Sequence, residues 1–214
     1  MDPLATGQEY YSENYANYEA QTPREKLDFY LKLLGRHVPN GRTIFELGVA
    51  MGHFLERASL TYNCQGSDIN SFGVETAKKK CPTATLAVGS FEQIPTGTDL
   101  SAVVSWDVLK HLPDIRMGLS TIYTRLPKGG LLVGVVPIYD GALGWLVRRL
   151  DTDPTHVIKV GRGDWHMLLK EQGFEVIESG GILRKLLGQK YFHFTKPQPI
   201  LRHCCSALYF VAKK

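Results

Sequence analysis

The sequence is short of cysteine: four among 214 residues, with no C-x-x-C pair. That spacing argues against a zinc site or a disulfide framework and fits reduced cysteines packed in an interior. No apolar run reaches membrane-spanning length and no signal peptide is recognisable, so a cytoplasmic location is expected. Internal repeats and low-complexity tracts are missing as well. Neither sign of charge dominates, because 25 basic against 21 acidic side chains leave a formal net charge of +4. The bias is local: residues 144–214 hold 12 Lys and Arg against 6 Asp and Glu. Such a segment could favour an anionic substrate, a membrane surface or nucleic acid, but the charges are scattered, as on a solvated surface. What remains is ordinary globular usage, 43% hydrophobic and 21% charged, in a chain long enough for one domain with a sizeable core.

Two nucleotide-binding signatures are also missing. No G-x-x-x-x-G-K-[ST] run occurs, so a triphosphate cradle is unsupported. The stretch Thr43–His53, TIFELGVAMGH, is the nearest approach to G-x-G-x-x-G. Counted from Gly48, that register falls on Gly48, Ala50 and His53, and two of the three positions fail. The stretch still has the shape of a ligand loop. Ile44 and Phe45 suit a buried strand; Gly48, Ala50 and Gly52 are small; Phe54, Leu55 and Ala58 then mark one face of a helix. A strand turning into a helix through small residues leaves backbone N–H groups and a crevice at the strand's carboxyl end. Glu46, just ahead of the loop, would repel a pyrophosphate but suits an ammonium group. S-adenosylmethionine carries an ammonium, a sulfonium and a ribose, and no phosphate. The competing reading is a tight structural turn with no ligand.

Further along, Asn63–Ser67 reads as a second strand ending at Asp68, 20 residues past Gly48, where a carboxylate can accept both ribose hydroxyls. A helix then runs to Lys80 and stops at Pro82. The third strand, 84–88, leads to Ser90 and Phe91, placed to hydrogen-bond and stack on an adenine; an ordinary core role for Phe91 is the alternative. The fourth strand, 100–105, ends at Trp106-Asp107. Ile115, Leu119, Ile122 and Leu126 form one helical face, and the apolar run 131–136 is a strand buried on both sides. Near the N-terminus, Tyr10, Tyr11, Tyr15 and Tyr18 precede a helix with Thr22 as cap, Pro23 first, Glu25 closing a capping box, and Leu27, Leu31 and Leu34 inward. The tyrosine arm reads as a lid with aromatic faces near a sulfonium or amine, with simple surface cover as the alternative. Residues 139–160 form a long connection, Asp164 caps a helix, and 174–178 and 207–212 are the last two strands. The basic, apolar stretch between those strands reads as a surface connection, with contact to a lipid or quinone substrate as the alternative.

Taken together, FELGVAMGHF, GSDIN, VGSFEQIP, and VVSWDVLKHLPD leading to LPKGGLLVGVVP resemble the class I S-adenosylmethionine-dependent methyltransferases acting on small molecules. The resemblance covers most of the chain. It implies an α/β, Rossmann-like doubly wound sheet of seven strands, order 3-2-1-4-5-7-6 with the last strand antiparallel, under an N-terminal helical and tyrosine-rich cap. One methyltransferase domain is expected over 1–214: an arm and cap helix at 1–40, a cofactor half at 41–138 and a substrate-facing half at 139–214. The implied cofactor is S-adenosyl-L-methionine, released as S-adenosyl-L-homocysteine. Glu46, Gly48, Ala50, Gly52 and Phe54 would hold its methionyl part, Asp68 and Ile69 its ribose, and Ser90 and Phe91 its adenine. Ser105, Trp106 and Asp107 would line the far side, and Tyr11 and Tyr15 would cover it. The sequence departs from the family twice. Ala50 replaces the usual middle glycine, which a negative φ would accommodate, and Ser90 stands where an aspartate usually meets the adenine.

Methyl transfer from a sulfonium needs mainly alignment, because the electrophile is already activated. A hydroxyl acceptor also needs a base, ideally a histidine with a pKa near 7. Of the seven histidines, His111 follows the fourth strand and His156 lies in the substrate-facing connection, so these two are the candidates. The alternative for His111 is a bond to the local backbone. His53 and His166 sit on helices and read as structural. The expected reaction is O-methylation of a small molecule, with amine N-methylation or a non-catalytic cofactor- or partner-binding module as alternatives. A nucleic-acid substrate is disfavoured, because Ser105-Trp106-Asp107-Val108 is not the [N/D]-P-P-[Y/F] run of nucleobase amino-methylases. A lipid-like acceptor or peripheral membrane contact has only the scattered basic charge behind it.

Overall fold

The computed structural model describes residues 22–97, 99–151, 153, 155–184, 191–194 and 204–214. The tyrosine-rich arm, with Tyr11 and Tyr15, lies outside the described residues. In chain order the elements are α1 (Arg24–Gly35), β1 (Thr43–Leu47), α2 (His53–Ala58), β2 (Asn63–Asp68), α3 (Ser71–Lys80), β3 (Thr85–Val88) and β4 (Leu100–Trp106). They continue with α4 (Ile115–Arg125), β5 (Leu131–Pro137), α5 (Gly144–Leu150), α6 (Arg162–Glu171), β6 (Glu175–Arg184), β7 (Tyr191–Phe194) and β8 (Ala207–Lys213). No helix among the described residues is long and apolar enough to cross a membrane.

The strands form one sheet in the order β3-β2-β1-β4-β5-β8-β6-β7. β1 runs parallel to β2 and β4, and β2 parallel to β3. β8 lies antiparallel between β5 and β6. The expected seven-stranded order and antiparallel last strand are therefore present. β7 is an addition at the edge, pairing antiparallel with residues 181–184 of β6. The sequence pattern ends the sixth strand at 178 and makes the residues beyond it a surface connection. Instead the strand continues through Gly180 and Gly181 to Arg184, where β7 pairs with it. Glycine is a poor strand former by composition, but Cβ atoms here would lie 2.4 Å from Tyr209 Oη and 2.3 Å from Cys205 Sγ.

The chain falls into two compact units, Met1–Val104 with Arg125–Pro127, and Ser105–Thr124 with Lys128–Lys214. In the first, Leu33, Leu34, Ile44, Leu47, Leu55 and Ile94 are fully buried. α1 begins one residue later than the capping pattern predicts. Pro23 is the cap, with an extended backbone at ψ 155°, and no side-chain cap bond forms. Its buried stripe is Leu27, Tyr30, Leu33 and Leu34, with Phe29 alongside, and Leu31 is only half-buried. Asp28 pairs with Arg57, tying α1 to α2. The second unit packs around Leu109, Leu119, Ile122, Trp165, Tyr209 and Phe210. Trp165 donates its indole N–H to the Pro137 carbonyl at 3.2 Å, docking α6 under the end of β5. Asp164 is not the α6 cap: Gly161 is, and its N–H donates to Asp164 Oδ2 at 2.8 Å from the first turn. All four cysteines are free, and burial pushes the Cys64 thiol up to about 12 and Cys81 to about 11, which keeps both unreactive.

α2 and α3 touch at one glycine. Gly52 caps α2 in the left-handed region at φ 78°, and a Cβ there would lie 2.8 Å from Cα and Cβ of Ala77. Both conditions favour glycine. Gly52→Ala should therefore destabilise the fold by about 1–3 kcal/mol through strain and overpacking, read as a lowered midpoint in urea unfolding at unchanged slope.

Candidate functional site

In the first unit, β1 delivers Glu46 and then turns through three positive φ angles at alternate positions: Gly48 at 82°, Ala50 at 47° and Gly52 at 78°. The negative φ expected for Ala50 is thus corrected. A left-handed alanine costs on the order of 1 kcal/mol, and its N–H, donating to Asp68 Oδ2 at 2.8 Å, holds it there. The other Asp68 oxygen accepts the Asn70 N–H at 2.9 Å. Gly48 and Val49 donate to the Ser67 carbonyl at 2.8 and 3.1 Å, and Gly52 to the Val49 carbonyl at 2.8 Å. The amides of residues 48, 49, 50 and 52 are therefore satisfied by the protein, contrary to the free N–H groups expected of the turn. A phosphate would find few donors here.

What the loop offers is acceptors. Glu46 is 3% exposed and its Oε2 has no hydrogen-bond partner. Burial raises its pKa well above the carboxylate range, with Asp68 adding to the shift. Burial also raises the Asp68 pKa, against the backbone N–H bonds of Asn70, Ala50 and Ile69. With three backbone donors on two oxygens, the Asp68 carboxylate keeps lone-pair capacity for a further bond. An unpartnered buried carboxylate oxygen fits a ligand that brings hydrogen-bond donors, as the ammonium and ribose of S-adenosylmethionine do.

Around this pair, Ile69, Ser90 and Phe91 are all partly exposed at the carboxyl ends of β2 and β3. Ser67 donates its hydroxyl to the Ser90 carbonyl at 3.1 Å, and the Ser90 N–H donates to Glu92 Oε1 at 2.7 Å. Ser67 is a positioning residue that sequence reading missed. Phe54 is corrected: at 4% exposure it belongs to the core. Gly52 packs on Ala77, where a Cβ would lie 2.8 Å from its Cα and Cβ.

In the second unit β4 ends with Ser105, fully buried with an unpartnered hydroxyl, then the partly exposed Trp106 and Asp107. Asp107 sits at φ 64°, where its N–H donates to the Val135 carbonyl at 2.8 Å. A non-glycine residue at such an angle is held there by its surroundings.

Beyond it, residues 109–111 form a short 3-10 turn that presents His111 to residues 151–156. His111 Nδ1 lies 3.1 Å from the Thr155 carbonyl and 2.9 Å from Thr155 Oγ1. A carbonyl only accepts, so Nδ1 carries the proton and Nε2 bears the lone pair. Thr155 donates its hydroxyl to Asp153 Oδ1 at 2.6 Å and its N–H to the same oxygen at 2.8 Å. The backbone bond named as the alternative for His111 exists, and it is what sets the tautomer. Burial, with Lys110 and His156, pushes the His111 pKa down to about 4, against Asp153 and the Thr155 carbonyl. The expected value near 7 is thus corrected, and His111 is neutral at neutral pH.

His156 is the second correction. Its Nδ1 lies 2.5 Å from Asp151 Oδ1 and its Nε2 3.2 Å from Asp153 Oδ2, so both nitrogens face carboxylates of the chain itself. With Nδ1–H given to Asp151, its lone pair is on Nε2, which is buried away from solvent and makes no hydrogen bond. Burial and Lys110 lower its pKa, while Asp153 and Asp151 oppose. The two rings meet edge to face, centroids 4.8 Å apart. Tyr139 also donates its hydroxyl to Asp151, and the Lys159 ammonium donates to the Asp151 carbonyl at 2.9 Å. Tyr139 and Asp151 carry no motif and were missed; the Asp153…His156 run was a visible signal without an assigned role.

The model of a family described as methyltransferase domain matches residues 18–179. No curated protein matches the sequence significantly. Among solved structures, the chain is similar to an S-adenosylmethionine-dependent methyltransferase from Thermotoga maritima, described as a possible histamine N-methyltransferase. That pair is 17% identical, with a TM-score of 0.69 over 96% of this chain and 98% of that one. Similar too is phosphoethanolamine N-methyltransferase 2 of Haemonchus contortus in complex with S-adenosylmethionine: 18% identity, TM-score 0.67, 87% of this chain and 52% of that one. A third is the N-methyltransferase NodS of Bradyrhizobium japonicum with S-adenosylhomocysteine bound: 18% identity, TM-score 0.64, 89% of this chain and 86% of that one.

The loop geometry sets two expected outcomes. Ala50→Gly should raise unfolding free energy by roughly 1 kcal/mol by relieving the left-handed angle, measured by denaturant titration. Glu46 has a folded-state pKa above its unfolded value, so it costs the empty protein stability as pH rises past the unfolded value. Glu46→Gln should remove that loss, giving a thermal midpoint less dependent on pH, while S-adenosylmethionine affinity drops about 10–100-fold for one charged hydrogen bond.

Proposed function

The chain belongs to the methyltransferase domain family and is an S-adenosylmethionine-dependent enzyme, and we propose that it methylates a hydroxyl oxygen of a small molecule. The observation that carries this reading is the His111 ring, whose Nδ1 is held as a donor by the Thr155 carbonyl at 3.1 Å. Its Nε2 lone pair is the proton acceptor a hydroxyl needs. When bound, S-adenosylmethionine supplies an activated methyl group and leaves as S-adenosylhomocysteine. The acceptor oxygen forms the new bond to carbon while its proton passes to His111 Nε2, so the products are a methyl ether, the thioether and an imidazolium.

In this reading Glu46 takes the cofactor ammonium and Asp68 the ribose hydroxyls. Ser90 and Phe91 meet the adenine. A base with a pKa near 4 is weak, which favours an acidic hydroxyl such as a phenol or enol over an aliphatic alcohol. Amine N-methylation is the second reading. It is favoured by the N-methyltransferase names among similar structures and by Asp107, a carboxylate that could hold a cationic acceptor.

A panel of phenols, enols, sugars, amines and fatty acids, assayed for S-adenosylhomocysteine release, separates the two. With a hydroxyl acceptor, His111→Ala should lower kcat about 10²–10⁴-fold, the usual range for a lost base, and leave cofactor affinity unchanged. Wild-type kcat should be flat from pH 6 to 8, because the base is already neutral above about 4. With an amine acceptor the rate should instead rise with pH as the amine deprotonates, and His111→Ala should keep most activity. Asp68→Ala should weaken S-adenosylmethionine binding by roughly 1.5–3 kcal/mol in either case, measured by isothermal titration.

A further inference from the structure

The weakness of His111 as a base raises the question of what stabilises its charged form once it has taken a proton. Its own backbone partner fixes the tautomer but brings no charge. Lys110 and His156 oppose a positive ring, and the one carboxylate that reaches it does so through Thr155. Asp153 is well built for that task. It is largely buried, and Oδ1 accepts both the amide and the hydroxyl of Thr155, at 2.8 and 2.6 Å. Because the Thr155 proton is committed to Asp153, Thr155 Oγ1 turns a lone pair to the His111 Nδ1–H at 2.9 Å. The other Asp153 oxygen is 3.2 Å from His156 Nε2 without a hydrogen bond, and His156 gives its Nδ1–H to Asp151, which also accepts from Tyr139. The carboxylate is thus held through Oδ1 by Thr155.

We propose that Asp153 and Thr155 form a positioning relay for His111, in which the Asp153 carboxylate, acting through the Thr155 hydroxyl, orients the ring and stabilises its imidazolium. The inference rests on the reading of His111 as the base. No proton need leave the relay: His111 gains one at Nε2 and keeps the other at Nδ1, while Thr155 and Asp153 remain hydroxyl and carboxylate.

The relay can be tested without an acceptor, by nitrogen-15 NMR of the histidine rings in the full-length chain. At pH 7 wild-type His111 should be the Nδ1–H tautomer. Its titration midpoint should fall by about one pH unit in Asp153→Asn, the loss expected for one nearby opposite charge. Thr155→Ser should keep the wild-type midpoint and Thr155→Val should match Asp153→Asn. If acid denatures a variant before the midpoint, solvent exchange of the Nδ1 proton at pH 7 decides instead: about tenfold faster in Thr155→Val and near wild type in Thr155→Ser. An Nε2–H tautomer in the wild type would overturn the relay. So would, in folded variants, an unchanged midpoint in Asp153→Asn, or an exchange rate in Thr155→Val equal to wild type. A relay present in the spectra, beside a His111→Ala variant active on its hydroxyl acceptor, would overturn the assignment of the base and leave the geometry standing.

Discussion

Two hydrogen bonds to Asp68 organise the first unit of this protein. One, from the Ala50 N–H, holds an alanine at a φ it would otherwise avoid; the other, from Asn70, fixes the carboxylate at the tip of β2. Together they lock the β1–α2 turn against the neighbouring strand and consume a backbone donor that a phosphate-binding loop would leave for its ligand. The cost is a carboxylate drawn into a poorly solvated place beside the buried Glu46. Stability alone would not select that arrangement. A ligand bringing an ammonium and two hydroxyls would relieve it, which favours the proposed S-adenosylmethionine contact over a tight structural turn.

The second unit applies the same economy of donors and acceptors to a histidine pair. His111 and His156 are close in space and similar in burial, and residue type alone cannot rank them. Their partners can. A carbonyl and a hydroxyl on one nitrogen leave His111 a lone pair on Nε2, whereas His156 gives its Nδ1–H to Asp151 and keeps Nε2 buried. A base of low pKa in a pocket of opposing charges then makes Asp153 the group that decides whether protonation is tolerable.

The sheet was legible in the sequence because its signals are local. Buried apolar runs such as Leu131–Val136 mark strands, Pro and Gly punctuate them, and an acid near 20 residues past the first loop glycine marks the second strand tip. Less legible was whatever depends on a distant neighbour. The extension of β6 through Gly180 and Gly181 is set by Tyr209 and Cys205, which lie far along the chain. The left-handed angle of Ala50 is set by Asp68, and the buried role of Phe54 by packing. In the histidine cluster the Asp153…His156 run was visible, but Tyr139 and Asp151 carry no spacing signal. The pKa values of the two histidines follow from burial and Lys110, neither of which periodicity reports.

The central claim is that the β1–α2 loop and the tips of β2 and β3 hold S-adenosylmethionine through Glu46 and Asp68. Mapping the backbone amide shifts of the full-length protein on addition of S-adenosylhomocysteine tests it most directly. The account predicts saturable shifts concentrated at Glu46–Gly52, Asp68–Asn70 and Ser90–Phe91. Saturable binding that leaves those amides unmoved and perturbs another surface would contradict it.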